Sequence, residues 1–200
     1  GGILAHEIAA EADAPSYIVD PVVVDELEDI ARPSGIPDFD RTSIFHALNQ
    51  KAVARRYAAE HDRSYDGLNL IVVHLGGGIT VGAHRRGRVV DVNDGLNGEG
   101  PFTPERSGGL PAQKLAKLCF SGEFSHADIK KKIKGGGGLV AYLGTNDGRE
   151  VSAMISEGNE TARLVYEAMA YQVAKEVGGM ATVLQGEVDA IIITGGLAHD

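Results

Sequence analysis

The sequence predicts an α/β fold, and three observations carry that prediction. Two runs, LNLIVVHL (68–75) and VDAIIIT (188–194), are almost continuously apolar and rich in β-branched residues, the pattern of buried strands. Each enters a glycine cluster, GGG at 76–78 and GG at 195–196, where the chain must turn. Between the two runs lie segments of helical length with their own start signals, such as Asn159 before the longest of them.

From the beginning, GGILAHEIAAEAD reads as a helix already under way, ending near Ala12, so both ends are expected to lie inside a longer protein. After Pro15 a short strand, Ser16 to Val19, leads to Asp20. Asp20 is a good N-cap and Pro21 suits a first helical turn, which predicts a helix over Val22 to Ala31. That junction reads as a hinge: residues 1–20 close one domain and residues 21–200 form an incomplete second. RPSGIPDFD breaks the chain before a helix from Thr42 to His61, whose apolar face is read as Ile44, Phe45, Leu48, Ala52 and Tyr57.

The strand Leu68 to Leu75 follows, then ITVGAH and RVVDVND, joined as a hairpin by the charged RRG turn. Leu110 to Phe120 is helical, and Ser125 with Asp128 forms a capping box for another helix. GGGG at 135–138 breaks the pattern. Asn159 starts a helix through Val183, in which Gly178 and Gly179 mark a kink or a close approach. Four β-branched runs need one another's backbone groups, so one sheet should hold them all. The order of three strands, then helices, then a strand is the beginning of a ribonuclease-H-like domain, the fold of actin-like ATPases.

Composition narrows the function. A net charge of −9 argues against a nucleic-acid partner, which requires a basic footprint. No apolar run reaches the roughly 20 residues that span a bilayer, and no signal peptide opens the chain, so no membrane partner and a cytoplasmic location are expected. The lone Cys119 excludes an internal disulfide and reads as a buried, inert thiol. His6 and Glu7 begin an HE pair, but Ala10 stands where a zinc site would need its second histidine.

In HLGGGIT (74–80), three residues without side chains let backbone N–H groups reach an anionic oxygen directly. A tight hairpin needing positive φ would look the same. The second glycine turn, TGG at 194–196, favours a nucleotide spread between two strand ends. Neither GxxxxGK[ST] nor a helix-opening GxGxxG occurs, which disfavours P-loop and dinucleotide-binding enzymes. Arg106, among the turn-formers of GPFTPERSGGLP, would alone read as a solvated loop charge.

The run HLGGGITVGAHRRGRVVDVNDGLNGEGPFTPERSGGLP (74–111) resembles the corresponding run of butyrate kinases, within the acetate kinase family. SYIVDPVVVDEL, RTSIFHALNQKA, LGTNDGREV and DAIIITGGLAHD resemble family segments in the same order. Acetate kinases usually read HLGNG and MGTRSGD where this chain has HLGGG and PERSGG, so the resemblance points to the butyrate branch. It implies phosphoryl transfer between ATP and a short-chain fatty acid carboxylate, giving an acyl phosphate and ADP reversibly. The cofactors implied are ATP/ADP and Mg2+, the partners a small carboxylate or acyl phosphate, and the enzyme a homo-oligomer, at least a dimer.

By the same resemblance, Asp20 is the catalytic and Mg2+-positioning aspartate, directly or through water. His46 contacts the transferring phosphoryl group, and Arg106 is the transition-state arginine. His74, Leu75, Gly76, Gly77 and Gly78 match the ATP-phosphate loop. Asp147, Gly148 and Arg149 match a nucleotide-contacting segment, and Gly195, Gly196, Leu197, Ala198 and His199 an adenosine loop, where Ala198 and His199 depart from the acetate kinase pattern. Gln50 stands where acetate kinases carry a second histidine. The implied mechanism has Arg106 and His46 supplying the positive field. Other readings are a kinase for acetate, propionate or a branched acid, and a non-catalytic actin-like nucleotide-binding module.

Overall fold

A computed structural model of the chain describes residues 1–199, and of His199 the backbone alone. Four strands form one sheet: β1 (Asn69–Leu75), β2 (Ile79–Arg85), β3 (Arg88–Val92) and β4 (Ala190–Thr194), in the order β3-β2-β1-β4. The triglycine turn folds β2 back antiparallel to β1, with Leu75 facing Ile79. Arg86 and Gly87, with φ of 48° and 84°, make the two-residue turn into β3; positive φ at both positions matches the twist of the flanking strands. β4 pairs parallel with β1, which the long intervening helical segment makes possible.

Side-chain alternation along β1 divides the core. Leu70 and Val72 pack with Ala54 and Ala58 of α2 (Ala47–Glu60). Ile71 and Val73 face the other way, into a cluster with Val165, Met169 and Met180 of α7 (Glu160–Val183). The sheet is thus covered by helices on both faces, and burying each of the Leu, Ile, Val and Met side chains stabilises the fold by about 1.5–3 kcal/mol. Asn159 caps α7 by accepting from the N–H of Ala162, and Ser125 and Asp128 form the expected capping box. That box opens α4 (His126–Ile133), which follows α3 (Ala112–Cys119).

Several expectations are corrected. α1 (Gly2–Glu11) is present, but residues 16–19 form no strand: nothing among the described residues pairs with them, and Tyr17, Ile18 and Val19 are exposed. Val22 to Ala31 is not a helix; only Asp29–Ala31 makes a 3-10 turn. Three consecutive valines resist helix, and this segment bonds along β3 instead. Val89 N–H donates to Glu26, Glu28 N–H donates to the carbonyl of Val90, and Leu27 is buried against Phe45 and Val92.

α2 begins at Ala47 rather than Thr42, because residues 41–45 are bonded elsewhere. Thr42 donates to Asp94, Ser43 to the carbonyl of Val24, and Phe45 N–H to that of Val22. The buried face of α2 is Ala47, Gln50, Lys51, Ala54 and Ala58, while Leu48 is exposed. α5 (Gly138–Leu143) and α6 (Gly148–Ser156) were not anticipated. Gly178 and Gly179 sit inside a continuous α7 with open space beside them, so neither a break nor close packing explains them.

β4 is not buried. Ile191 and Ile193 are exposed at the sheet edge, beside an apolar groove of about 460 Å³ against α7. Cys119 is exposed as well, at the end of α3, a helix without a buried residue.

Candidate functional site

The two glycine turns lie side by side. β1 and β4 run parallel and end at the same edge, where open α/β sheets bind ligands. Gly195 (φ 96°) approaches β1 so closely that a Cβ there would stand 2.1 Å from the carbonyl oxygen of Leu75. Gly196–His199 continues as a 3-10 turn, with Ala198 N–H donating to the Gly195 carbonyl; the side chain of His199 lies outside the described residues. In the first turn the Gly76 N–H donates to the Gly78 carbonyl at 3.2 Å. The N–H groups of Gly77 and Gly78 have no partner among the described residues.

Arg106 lies over this turn. A Cβ on Gly78 would meet its Nη1 at 2.1 Å and its Cζ at 2.6 Å, so the third glycine makes room for the guanidinium. Nη1 donates to the Gly95 carbonyl, whereas Nε is buried without a partner among the described residues. The loop carrying Arg106 is pinned to the turn: Thr103 Oγ1 donates to the Gly77 carbonyl at 2.7 Å and accepts from the N–H of Arg106 at 3.1 Å. The GGGG run closes on the loop's other side. Gly135 N–H donates to the Glu105 carbonyl, and Leu139 N–H to that of Thr103. At Gly138 (φ 61°) a Cβ would fall 1.7 Å from the Thr103 oxygen.

His46 occupies the N-cap position of α2, and its ring stacks on that of His74, centroids 3.7 Å apart and 12° from parallel. Its Nδ1 is 2.9 Å from Thr80 Oγ1. His46 and Arg106 line one pocket of about 140 Å³ with Thr80 and Gly95, walled by Val22, Ile44, Phe45 and Leu96. Burial, then the nearby His74 and Arg106, lower the pKa of His46 to about 4. His46 is therefore neutral at pH 7 in the ligand-free chain, where it offers a hydrogen bond and not the positive charge that was expected of it.

Asp20 is not among the residues that line this pocket. Its carboxylate pairs with Arg55 of α2 at 2.7 Å, in a residue held at φ 40°, and Val22 two residues on is the nearest part of the chain to line the pocket. Asp147 caps α6 by accepting from the Arg149 N–H and also pairs with the Arg149 guanidinium, which holds its carboxyl below the usual range. Gly148 is buried beneath them. The neighbouring Asn146 donates to Glu105, whose carboxylate oxygen a Cβ on Gly77 would meet at 3.5 Å.

An anionic phosphate fits the donors present: two unpaired backbone N–H groups, an unpaired guanidinium nitrogen and no side chain on the turn to exclude it. For a cation, no three His, Cys, Asp or Glu side chains cluster among the described residues. The Asp20 carboxylate is taken up by Arg55 and lines no pocket with His46 and Arg106, so as placed it does not fit a Mg2+ ion at the glycine turn.

Sequence reasoning missed the support beneath His46. Gln50 donates to the oxygen and Oγ1 of Thr80, its Oε1 faces His84 Nε2 at 3.0 Å, and His84 Nδ1 is 2.7 Å from the Tyr65 hydroxyl. Available signals were the i, i+4 spacing of His46 and Gln50 and the alternation of Thr80, Gly82 and His84 on one face of β2.

Burial also lowers the pKa of His74, and lowers that of His84 to about 3. An unfolded histidine takes its proton near pH 6.5, so between there and these folded values the unfolded chain binds more protons. The stabilisation is complete above about pH 6.5 and is lost as pH falls. Glu176, whose pKa burial raises, acts in the opposite direction. We expect the urea midpoint to drop clearly between about pH 7.5 and about pH 5, above the range where paired carboxylates titrate. An unchanged midpoint would contradict buried neutral histidines.

Residues 40–200 match the acetokinase family model. The structure is similar to that of acetate kinase from Porphyromonas gingivalis, with a TM-score of 0.82 and 26% identity over 90% of this chain and 47% of that one. A propionate kinase from Francisella tularensis aligns with a TM-score of 0.76 and 26% identity over 86% of this chain and 46% of that one. Acetate kinase from Entamoeba histolytica, 20% identical over 84% of this chain and 45% of that one with a TM-score of 0.73, shares the fold. The chain spans less than half the length of these relatives. Its α/β architecture is accordingly the expected ribonuclease-H-like, actin-like ATPase fold, of which it carries a part.

Proposed function

The chain belongs to the acetokinase family, and from that premise we propose that it forms the nucleotide-side part of a kinase that transfers phosphate between ATP and a short-chain fatty acid, butyrate by preference. The observation that carries this reading is Arg106, laid over a glycine turn with a buried donor unpaired. Residues 1–20 close the acyl-side domain, and residues 21–200 belong to the nucleotide domain.

A fatty acid with a pKa of about 4 is already a carboxylate at neutral pH, so no general base is required. One carboxylate oxygen bonds to the γ-phosphorus as the bond from phosphorus to the β,γ-bridging oxygen breaks, and ADP leaves with that electron pair. What the protein must supply is alignment and stabilisation of charge on three equatorial oxygens. The backbone N–H groups of Gly77 and Gly78 hold phosphate, and Arg106 meets the charge that develops during transfer. His46 donates a hydrogen bond to the transferring group. His74 and Leu75 shape the approach to that turn, while Asp147, Gly148 and Arg149 flank the nucleotide. Gly195, Gly196, Leu197, Ala198 and His199 border its adenosine end. Mg2+ would neutralise phosphate charge; Asp20 would reach it only by exchanging Arg55 for the ion.

Acetate and propionate kinases are the structural relatives, so the acid remains the finer question. Gly77, in place of the acetate kinases' asparagine, and PERSGG favour the butyrate branch. The apolar wall of Val22, Ile44, Phe45 and Leu96 suits an aliphatic tail. We expect the enzyme carrying this chain to form acyl hydroxamate from ATP, hydroxylamine and butyrate, with a higher kcat/KM than for acetate. Preference for acetate would overturn the butyrate assignment, and ATP binding without any hydroxamate would overturn the kinase.

A further inference from the structure

Beneath the stacked histidines runs a continuous chain of buried polar groups: Tyr65 hydroxyl, His84, Gln50, Thr80 and His46, with links of 2.7, 3.0, 2.9 and 2.9 Å. Gln50, Thr80 and His84 are fully buried, so each proton in the chain needs an acceptor there. One atom sets the direction of all of them. The carbonyl oxygen of Thr80, 3.0 Å from Gln50 Nε2, can only accept, so the amide nitrogen of Gln50 must point to Thr80 and its oxygen to His84.

The other protons follow. Gln50 Oε1 only accepts, hence His84 Nε2 carries the proton and its Nδ1 accepts from Tyr65. At the other end Gln50 Nε2 cannot accept. The hydroxyl proton of Thr80 then has His46 Nδ1 as its one acceptor among the described residues. Were Nδ1 protonated instead, that hydroxyl proton would be buried without a partner. Gly82 keeps the path open, because a Cβ there would stand 2.5 Å from Gln50 Oε1.

We propose that Tyr65, His84, Gln50 and Thr80 are positioning residues forming a one-way hydrogen-bond relay, which holds His46 as the neutral Nε2–H tautomer and makes Nε2–H the donor offered to the transferring phosphoryl group. The role in transfer rests on the kinase reading above; the tautomer does not. The surroundings agree, since Lys51 and Arg55 near His84, and His74 and Arg106 near His46, all oppose a second proton on either ring. A histidine with its Nδ1 turned donor would have only a lone pair at Nε2, which repels phosphoryl oxygen.

The test uses the full-length enzyme with 15N-labelled histidine, reading the protonation of each ring nitrogen of His46 by long-range 1H–15N correlation at about pH 7.5. We expect protonated Nε2 and unprotonated Nδ1 in the wild type; the reverse overturns the proposal whatever the activity. Thr80→Val preserves shape but removes the hydroxyl, and should yield a mixture of tautomers, while Thr80→Ser should keep Nε2–H. Gln50→Glu, which as a carboxylate can only accept from Thr80, should move the proton to Nδ1 at a pH where the introduced carboxyl is ionised. Thr80→Val should lower kcat by on the order of 10²-fold, with KM for ATP changed less than about threefold, and Thr80→Ser should restore most of the rate. A tautomer mixture with undiminished kcat overturns the positioning role. A wild type that makes no acyl phosphate fails the kinase reading, and the tautomer measurement still decides the relay.

Discussion

Arg106→Ala is expected to lower kcat by about 10²- to 10³-fold, or roughly 3 to 4 kcal/mol, with little change in KM for ATP. Nη1 of Arg106 is satisfied by the Gly95 carbonyl, whereas its buried Nε has no partner among the described residues, which leaves a donor for the charge that the proposed transfer develops. An interaction made mainly in the transition state is lost from kcat rather than from binding. The glycine turns still hold the nucleotide without it, because their contacts are backbone N–H groups. Arg106→Lys should recover only part of the rate: an ammonium restores the charge but not the planar fork that bonds two oxygens together. Steady-state kinetics on the full-length enzyme, with melting temperature as a folding control, decide it. Near-normal turnover in a folded Arg106→Ala enzyme would remove Arg106 from the mechanism.

The strands and turns that build this site were legible because their signals are local. LNLIVVHL can hardly avoid being a strand, RRG closes a hairpin, and Asn159 starts a helix, each from its own neighbours. Residues 16–31 misled for the opposite reason. Pro21 after Asp20 imitates a helix start, but Leu27 and the Glu26 carboxylate are claimed by β3, some sixty positions away. β4 read as buried because its sequence is apolar on both faces; within this chain it forms the sheet edge. Arg106 and the glycine turns were named from the sequence, and the structure lays Arg106 over Gly78 of the first turn. Asp20 was named with them, yet its carboxylate sits with Arg55. The relay under His46 was legible only in pieces: spacing puts Gln50 with His46 and His84 with Thr80, but nothing local joins those pairs to each other or to Tyr65.

The GGGG run packs against the backbone of the arginine loop, and it yields the other large expected effect. Gly138→Ala should destabilise the protein by about 2–3 kcal/mol and depress kcat nearly as much as removing Arg106. Two costs act together there. A left-handed φ of 61° is unfavourable for alanine, and the added methyl would fall 1.7 Å from the Thr103 carbonyl oxygen and 2.9 Å from that of Arg106. These are backbone atoms, so the arginine loop itself must move, carrying the guanidinium off Gly78. Gly122→Ala separates the two costs: its φ of 80° is equally left-handed, but nothing lies within 4 Å of the new methyl. That substitution should cost only the backbone term, about 1–2 kcal/mol, and leave kcat unchanged. Denaturant midpoints and kcat measured for both variants provide the comparison. If Gly138→Ala matched Gly122→Ala in both quantities, the GGGG run would not be what holds Arg106 in place.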